Sequence, residues 1–174
     1  MKRSSCFGRA TIAAMLIFSV TLCLADGSGD PTPVKNEDGK YYDKDGNPTF
    51  NIAPDGTVDW YTYSGYRRYN AECEFCHGPD GEGSAFAPSL VNSLKTMNYS
   101  EFVNVVVNGR KNVDVANDKV MPSFGTNPNV MCYLDDIFVY LRARSDGKLG
   151  RGRPYEHEEK PDSAKKAENA CLGL

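Results

Sequence analysis

Five consecutive residues carry the narrowest chemistry in this chain: Cys73, Glu74, Phe75, Cys76 and His77. Cys-x-x-Cys-His is the attachment signature of c-type haem. Side chains three and four apart share one face of a helical turn, so both sulfurs can reach the two vinyl groups of one porphyrin. His77 then meets the iron from one side. Two thioether bonds do not dissociate, so a short chain keeps its haem even through partial unfolding. Three other readings of the motif are weaker. A zinc site needs two further Cys or His ligands at close spacing, and the only other histidine, His157, lies in a charged tail. A thioredoxin-like Cys-x-x-Cys belongs with a βαβ pattern, which is missing here. A Cys73–Cys76 disulfide would close a strained small loop.

The second axial ligand must come from elsewhere, and the candidates are Met97, Met121, Met131 and His157. Met121 is preferred. It lies just before Pro122 in the irregular stretch 119–125, where a loop can present a thioether to the far face of the ring. Met131 sits at the polar-to-apolar boundary of a helix, where core packing is the better reading. Met97 precedes a helix and reads as a core or rim residue. His157, between Glu156 and Glu158, reads as a solvated surface histidine. Thioether ligation favours ferrous iron and raises the reduction potential. Gly78, Gly81 and Gly83 allow tight turns against the ring edge. Pro88 is close enough in sequence to aim a carbonyl at the His77 ring N–H and fix its tautomer.

The elements that must position these residues follow from pattern and composition. With 174 residues, 40% of them hydrophobic, the chain has room for one domain with a modest core. Lys and Arg total 20 against 23 Asp and Glu, a net charge of −3. That balance argues against a nucleic-acid binder, which needs an excess of cations. Residues 1–25 read as a cleaved secretory signal peptide, with a basic start, a short apolar run and Ala25 at the boundary. The run is shorter than the roughly 20 residues a membrane span needs. A retained anchor and a lipoprotein lipidated at Cys23 are the alternatives, the latter disfavoured by bulky Leu22. Loss of Lys2, Arg3 and Arg9 takes the net charge from −3 to −6.

Residues 26–58 form a turn-rich arm punctuated by Asp-Gly pairs at 38–39, 45–46 and 55–56, which favour tight turns. The stretch 43–47 hints at a calcium loop. Its glycine stands at the fourth position and Pro54 at the twelfth, where a bidentate Glu is needed, so a plain turn is the better reading. A first helix is expected over 59–76, capped by Thr57 or Asp59. A second covers 100–108, capped by Ser100 and ended by Gly109. The third runs over 129–145, with Val130, Leu134, Ile137, Phe138 and Leu141 as its apolar stripe and Asp146-Gly147 as its stop. The tail, 148–174, carries a short helix beginning near Pro161. No strand pattern of any length is expected, so the chain reads as mainly α, with residues 59–147 as the haem domain.

The full wording around the motif now points to a family. Cys-x-x-Cys-His-Gly-Pro-Asp-Gly-Glu-Gly at 73–83, Pro88, and Val-Met-Pro-Ser-Phe at 120–124 resemble a class I monohaem cytochrome c. Gly-Tyr-Arg-Arg-Tyr at 65–69, Val-Val-Asn-Gly-Arg at 106–110 and Asn-Val-Met-Cys-Tyr-Leu-Asp-Asp at 129–136 resemble the methanol-metabolism, cytochrome cL-type electron acceptors of quinoprotein alcohol dehydrogenases. The resemblance covers residues 63–174 and is weak over the arm. It implies the class I cytochrome c fold, mainly α, with helices packed around one covalent haem c. It also implies thioethers at Cys73 and Cys76, with His77 and Met121 as axial ligands.

As a function it implies a periplasmic carrier, fed by a pyrroloquinoline-quinone-dependent methanol or alcohol dehydrogenase and emptied by a downstream cytochrome or oxidase. Some relatives hold calcium, but no matching ligand set is found here. Filled axial positions leave no site for oxygen or peroxide, so electron shuttling is expected rather than catalysis. If Met121 does not ligate, peroxidase-like turnover is the rival. A haem c subunit or carrier of another respiratory chain is the second, with the arm as an anchor where it is fixed to a partner. With the haem cysteines used, Cys132 and Cys171 are the remaining thiols of the exported chain. An intramolecular disulfide tying the tail to the last helix is expected; reduced thiols or an intermolecular bridge are the alternatives. A soluble monomer with weak, salt-sensitive docking to a basic or uncharged partner patch completes the expectation. A local basic patch at Arg67, Arg68, Arg110 and Lys111 would change that last point.

Overall fold

The computed structural model describes residues 27–114 and 117–174. The expected signal peptide lies outside the described residues. Helix α1 (Trp60–Glu72) begins where Asp59 accepts from the Thr62 backbone N–H. The same buried carboxylate accepts from the Asn51 N–H at 2.8 Å and the Thr62 hydroxyl at 2.6 Å. Three donors offset part of the burial penalty, which still raises the Asp59 pKa. The chain continues through a single turn, α2 (Glu74–His77), a 3₁₀ turn (Pro79–Gly81) and the short α3 (Leu90–Ser93) to α4 (Tyr99–Asn108). The N-cap of α4 is Asn98, in a reciprocal capping box with Glu101, rather than the expected Ser100. Gly109 ends it at φ 74°.

Helices α5 (Pro128–Met131) and α6 (Leu134–Ser145) replace the single helix expected over 129–145. The break falls at Cys132 and Tyr133, with Tyr133 at φ −132°, ψ 19°. Cys132 is disulfide-bonded to Cys171 of α7 (Asp162–Leu172), with Cα atoms 5.7 Å apart, and the Tyr133 hydroxyl donates to Glu168 of the same helix. Both tethers fall at the break, so the apolar pattern runs across a joint where the helix does not. Closing 39 residues of chain this way contributes about 4 kcal/mol by loop entropy.

The expectation of no strands is corrected. Residues Lys35–Glu37 (β1), Lys40–Tyr42 (β2) and Pro48–Thr49 (β3) form a three-stranded antiparallel sheet in the arm. A hairpin of β4 (Arg110–Asp114) and β5 (Asn117–Met121) follows α4, with Arg110 opposite Met121. Strands of two to five residues are too short to show alternation. The turn between β1 and β2 is the Asp38-Gly39 pair, both at positive φ, as the sequence led us to expect.

The core is the crossing of α1 with α6. Tyr69, Leu94, Phe102, Val106, Val130, Leu134, Ile137, Phe138, Tyr140 and Leu141 form one buried cluster. Gly65 is the contact point: a Cβ there would lie 1.9 Å from the Asp136 carbonyl oxygen. Beside it the Ser64 hydroxyl donates to the buried Asp136 carboxylate at 2.6 Å. On the other side of α6, fully buried Arg142 holds the arm. It pairs with Asp43 at 2.9 Å and donates to the carbonyls of Pro48 and Ser28 at 3.0 and 2.6 Å. Asp43, the first residue of the disfavoured calcium loop, also accepts from the Asp45 and Asn47 N–H groups. Its carboxylate is fully committed to turn and arm.

Candidate haem centre

Cys73 sits at a joint. Its N–H still closes α1 on the Tyr69 carbonyl at 2.8 Å, but its φ of −119° ends that helix. The first helix therefore stops before the motif, where a continuous helix to residue 76 was expected. The next turn is built on the Cys73 carbonyl, which accepts from Cys76 and His77 N–H at 3.2 and 2.9 Å. Cys73 is half-buried and Cys76 exposed, and the two are not bonded to each other. Burial pushes the Cys73 thiol up to about 12. That is the opposite direction from the lowered pKa that activates a redox cysteine.

His77 is buried, and its Nδ1 lies 2.9 Å from the Pro88 carbonyl oxygen. A carbonyl only accepts, so Nδ1 carries the proton and Nε2 keeps its lone pair for a metal. Burial lowers the His77 pKa against the opposing Pro88 bond, favouring the neutral, ligating form. The turn that returns the chain to Pro88 is tightly closed. Gly83 N–H donates to the His77 carbonyl at 2.7 Å, and a Cβ on Gly78 would lie 2.3 Å from the Gly83 carbonyl oxygen. Gly78 has φ 73° and Gly83 φ 90°, a region that favours glycine.

Groups that the sequence reading missed hold this turn from outside. The Tyr69 hydroxyl donates to the Gly78 carbonyl. Arg144 donates to the Asp80 carbonyl at 3.3 Å, the Leu149 carbonyl at 2.7 Å and the Glu82 carboxylate at 2.8 Å. A buried arginine on the last turn of a helix, near Asp and Glu of a distant loop, leaves no local signal in sequence.

Met121 ends β5 instead of lying in an irregular loop. It is half-buried and packs on the rim of the main core, as do Cys73, Met97 and Met131. The chain beyond it is pinned to α4, with Phe124 and Gly125 N–H donating to Val106 and Val107 carbonyls at 3.0 and 3.1 Å. Met97 lines a surface groove with Thr96, Glu101, Asn104, Val105 and Arg110. Met131 lies in α5, next to the disulfide joint. His157 is not the solvated residue expected. Its ring stacks on Tyr63 at 3.6 Å and meets Trp60 edge-on, and its strand segment bridges Val58. Tyr63 precedes Cys73 by about 15 Å of helix, so His157 is held at the far end of α1.

The donor set fits haem c: two unpaired cysteines one turn apart, and a buried imidazole with one nitrogen free, on the rim of an apolar core. The comparisons with known proteins agree. Residues 62–141 match the family described as cytochrome C oxidase, cbb3-type, subunit III. Cytochrome c-553I of Paracoccus denitrificans is 50% identical over 151 residues, 87% of this chain. The chain spans 66% of that relative's length. Cytochrome c-555 of Methylococcus capsulatus is 42% identical over 96 residues, 55% of this chain and 72% of that one. The crystal structure of the c-type cytochrome XoxG from Methylobacterium extorquens AM1 superposes with a TM-score of 0.76 at 57% identity, covering 82% of this chain and 87% of that one. With the site's geometry and these relatives in agreement, the chain belongs to the class I monohaem cytochromes c, whose cofactor is haem c.

Proposed function

We propose that this cytochrome is the one-electron acceptor of a pyrroloquinoline-quinone-dependent methanol or alcohol dehydrogenase in the periplasm, and that it passes electrons to a downstream cytochrome or oxidase. The supporting observation is where the three methanol-metabolism phrases fall. Residues 65–69 form the α1–α6 crossing around Gly65, 106–110 lead into the hairpin that ends at Met121, and 129–136 span the disulfide joint. The resemblance therefore lies in packed helices and in the hairpin that leads to Met121 rather than in the arm.

In this reading Cys73 and Cys76 would hold the haem through thioethers, and His77 Nε2 and Met121 Sδ would be the side-chain ligands of its iron. Haem c supplies reversible one-electron exchange between ferric and ferrous iron. The chain's own groups do the rest. Pro88 holds the Nδ1 proton so that the imidazole keeps one orientation in both oxidation states. Tyr69 and Arg144 brace the turn that carries Pro88. With both side chains ligating, the iron would offer no open site to peroxide or oxygen, so the protein would shuttle electrons; it would do so as a soluble monomer.

The test is stopped-flow mixing of the ferric protein with a quinoprotein alcohol dehydrogenase and its substrate, followed at the haem α-band over a salt series. Rapid reduction that changes with ionic strength is expected. No reduction by a dehydrogenase that is active with an artificial dye would overturn the donor assignment.

A further inference from the structure

Two phenylalanines stand out of the haem motif into solvent. Phe75, between the two cysteines, is 88% exposed, and Phe86, in the turn before Pro88, is 70% exposed. Their rings stack on each other with centroids 6.3 Å apart and planes 12° from parallel. Neither ring is held out by a floppy loop. The Ser84 hydroxyl donates to the Cys76 carbonyl and accepts from the Phe86 N–H at 2.9 Å, while Ser84 N–H donates to the Ala87 carbonyl at 2.9 Å. An exposed, pre-ordered aromatic pair is costly in water and adds nothing to the core. It gives a partner a rigid apolar surface without the entropy cost of ordering it.

The pair lies beside the attachment point of the cofactor, since Phe75 is bonded to Cys76. The segment that carries it is acidic. Between Arg68 and Lys95 there is no Lys or Arg, whereas Glu72, Glu74, Asp80 and Glu82 are present. Arg151 and Arg144 offset Asp80 and Glu82. Among the described residues Glu72 accepts from the neutral amide of Asn127 at 3.3 Å, a bond that does not cancel its charge, and Glu74 begins the turn that carries Phe75. A small apolar centre with an acidic border suits a weak, transient redox contact below about 1,200 Å².

We propose that the Phe75–Phe86 stack is the docking face for the protein that reduces this cytochrome, and that the donor meets it with an apolar hollow rimmed by lysine or arginine. The inference rests on the electron-acceptor reading above. In the encounter the donor is oxidised by one electron and this protein is reduced by one, and no bond of this chain is made or broken.

The experiment compares holoprotein with Phe75→Ser, Phe86→Ser and the double variant, each reduced by the dehydrogenase and, separately, by ascorbate. Tyr155→Ser, another large exposed side chain (83% exposed), is the control. The second-order rate with the dehydrogenase should fall roughly tenfold in the double variant. The spectrum, the midpoint potential and the ascorbate rate should stay those of the wild type, and Tyr155→Ser should be unchanged in every readout. A double variant reduced by the dehydrogenase as fast as wild type overturns the docking face while leaving the acceptor role intact. Wild type that is not reduced at all instead removes the acceptor role. A dimer of the wild type in sedimentation, lost in the double variant, would assign the stack to a second copy of the chain. Binding to vesicles of phosphatidylglycerol and phosphatidylethanolamine, lost in the same variant, would assign it to a lipid surface. Either result overturns the proposal.

Discussion

Asp136 ionises in a place that resists charge. It is buried at the α1–α6 crossing, where the Ser64 hydroxyl is its hydrogen-bond donor, and burial lifts its carboxyl to about 7 against the opposing pull of Ser64 and Lys40. The folded state therefore holds a proton that the unfolded chain releases near its ordinary value of 3.8. The corresponding stability is complete below about pH 4 and is lost as pH rises to 7, on the order of 2–4 kcal/mol. Asp136→Asn should flatten that part of the profile. Denaturant unfolding of ferric wild type and variant at pH 4.5 and 7.5 measures it, and parallel losses in both would contradict the assignment. Asp136 was read in the sequence only as part of a family phrase; its burial depends on a helix 72 residues away. His77 and Pro88 were legible because the motif and an eleven-residue return are local. Phe75 and Phe86 were not singled out, since nothing in a sequence says that a phenylalanine faces water.

Helix α1 meets α6 through a residue without a side chain. The space at Gly65 is closed by backbone, not by the flexible end of a side chain, so nothing nearby can yield to a methyl group. Gly65→Ala should destabilise the holoprotein by about 3 kcal/mol or more, measured as a fall in denaturation midpoint. Wild-type stability would mean that the two helices do not cross this closely. At this scale the helices were legible where their apolar stripes are long, and their interruptions were not. The sequence pattern runs through Cys132 and Tyr133, while the disulfide to Cys171 and the Tyr133–Glu168 bond turn the backbone there. The expected disulfide could be reached by elimination among cysteines, but its effect on α6 could not. Asn98 displaced Ser100 as the cap because Glu101 completes a reciprocal pair with it, a pattern visible in sequence once the start is moved two residues. The five short strands left no alternation to read.

Across the whole molecule, a fully buried ion pair between Arg142 and Asp43 fastens the arm to α6, beside the half-buried Lys40–Asp135 pair. Arg142 and Asp43 are both fully buried, so replacing either alone leaves the other charge without a partner. Arg142→Met or Asp43→Asn should each cost about 3–5 kcal/mol and expose residues 27–58 to proteases. The double variant should recover part of that stability, whereas additive losses in denaturation would show that the two do not act as a pair. The arm was legible as turns. Its docking was not, because Arg142 is a cation inside an apolar helix pattern and its partner lies 99 positions earlier. We propose a haem held by Cys73 and Cys76, with His77 and Met121 as the side chains that would ligate its iron. This ligand set is tested most directly by the ferric absorption spectrum of holoprotein and Met121→Ala. Wild type should be low-spin with the weak long-wavelength band of sulfur-ligated iron. The variant should keep its covalent haem, lose that band and fall in reduction potential. A band that survives in Met121→Ala, or disappears instead in Met97→Ala or Met131→Ala, would contradict the account.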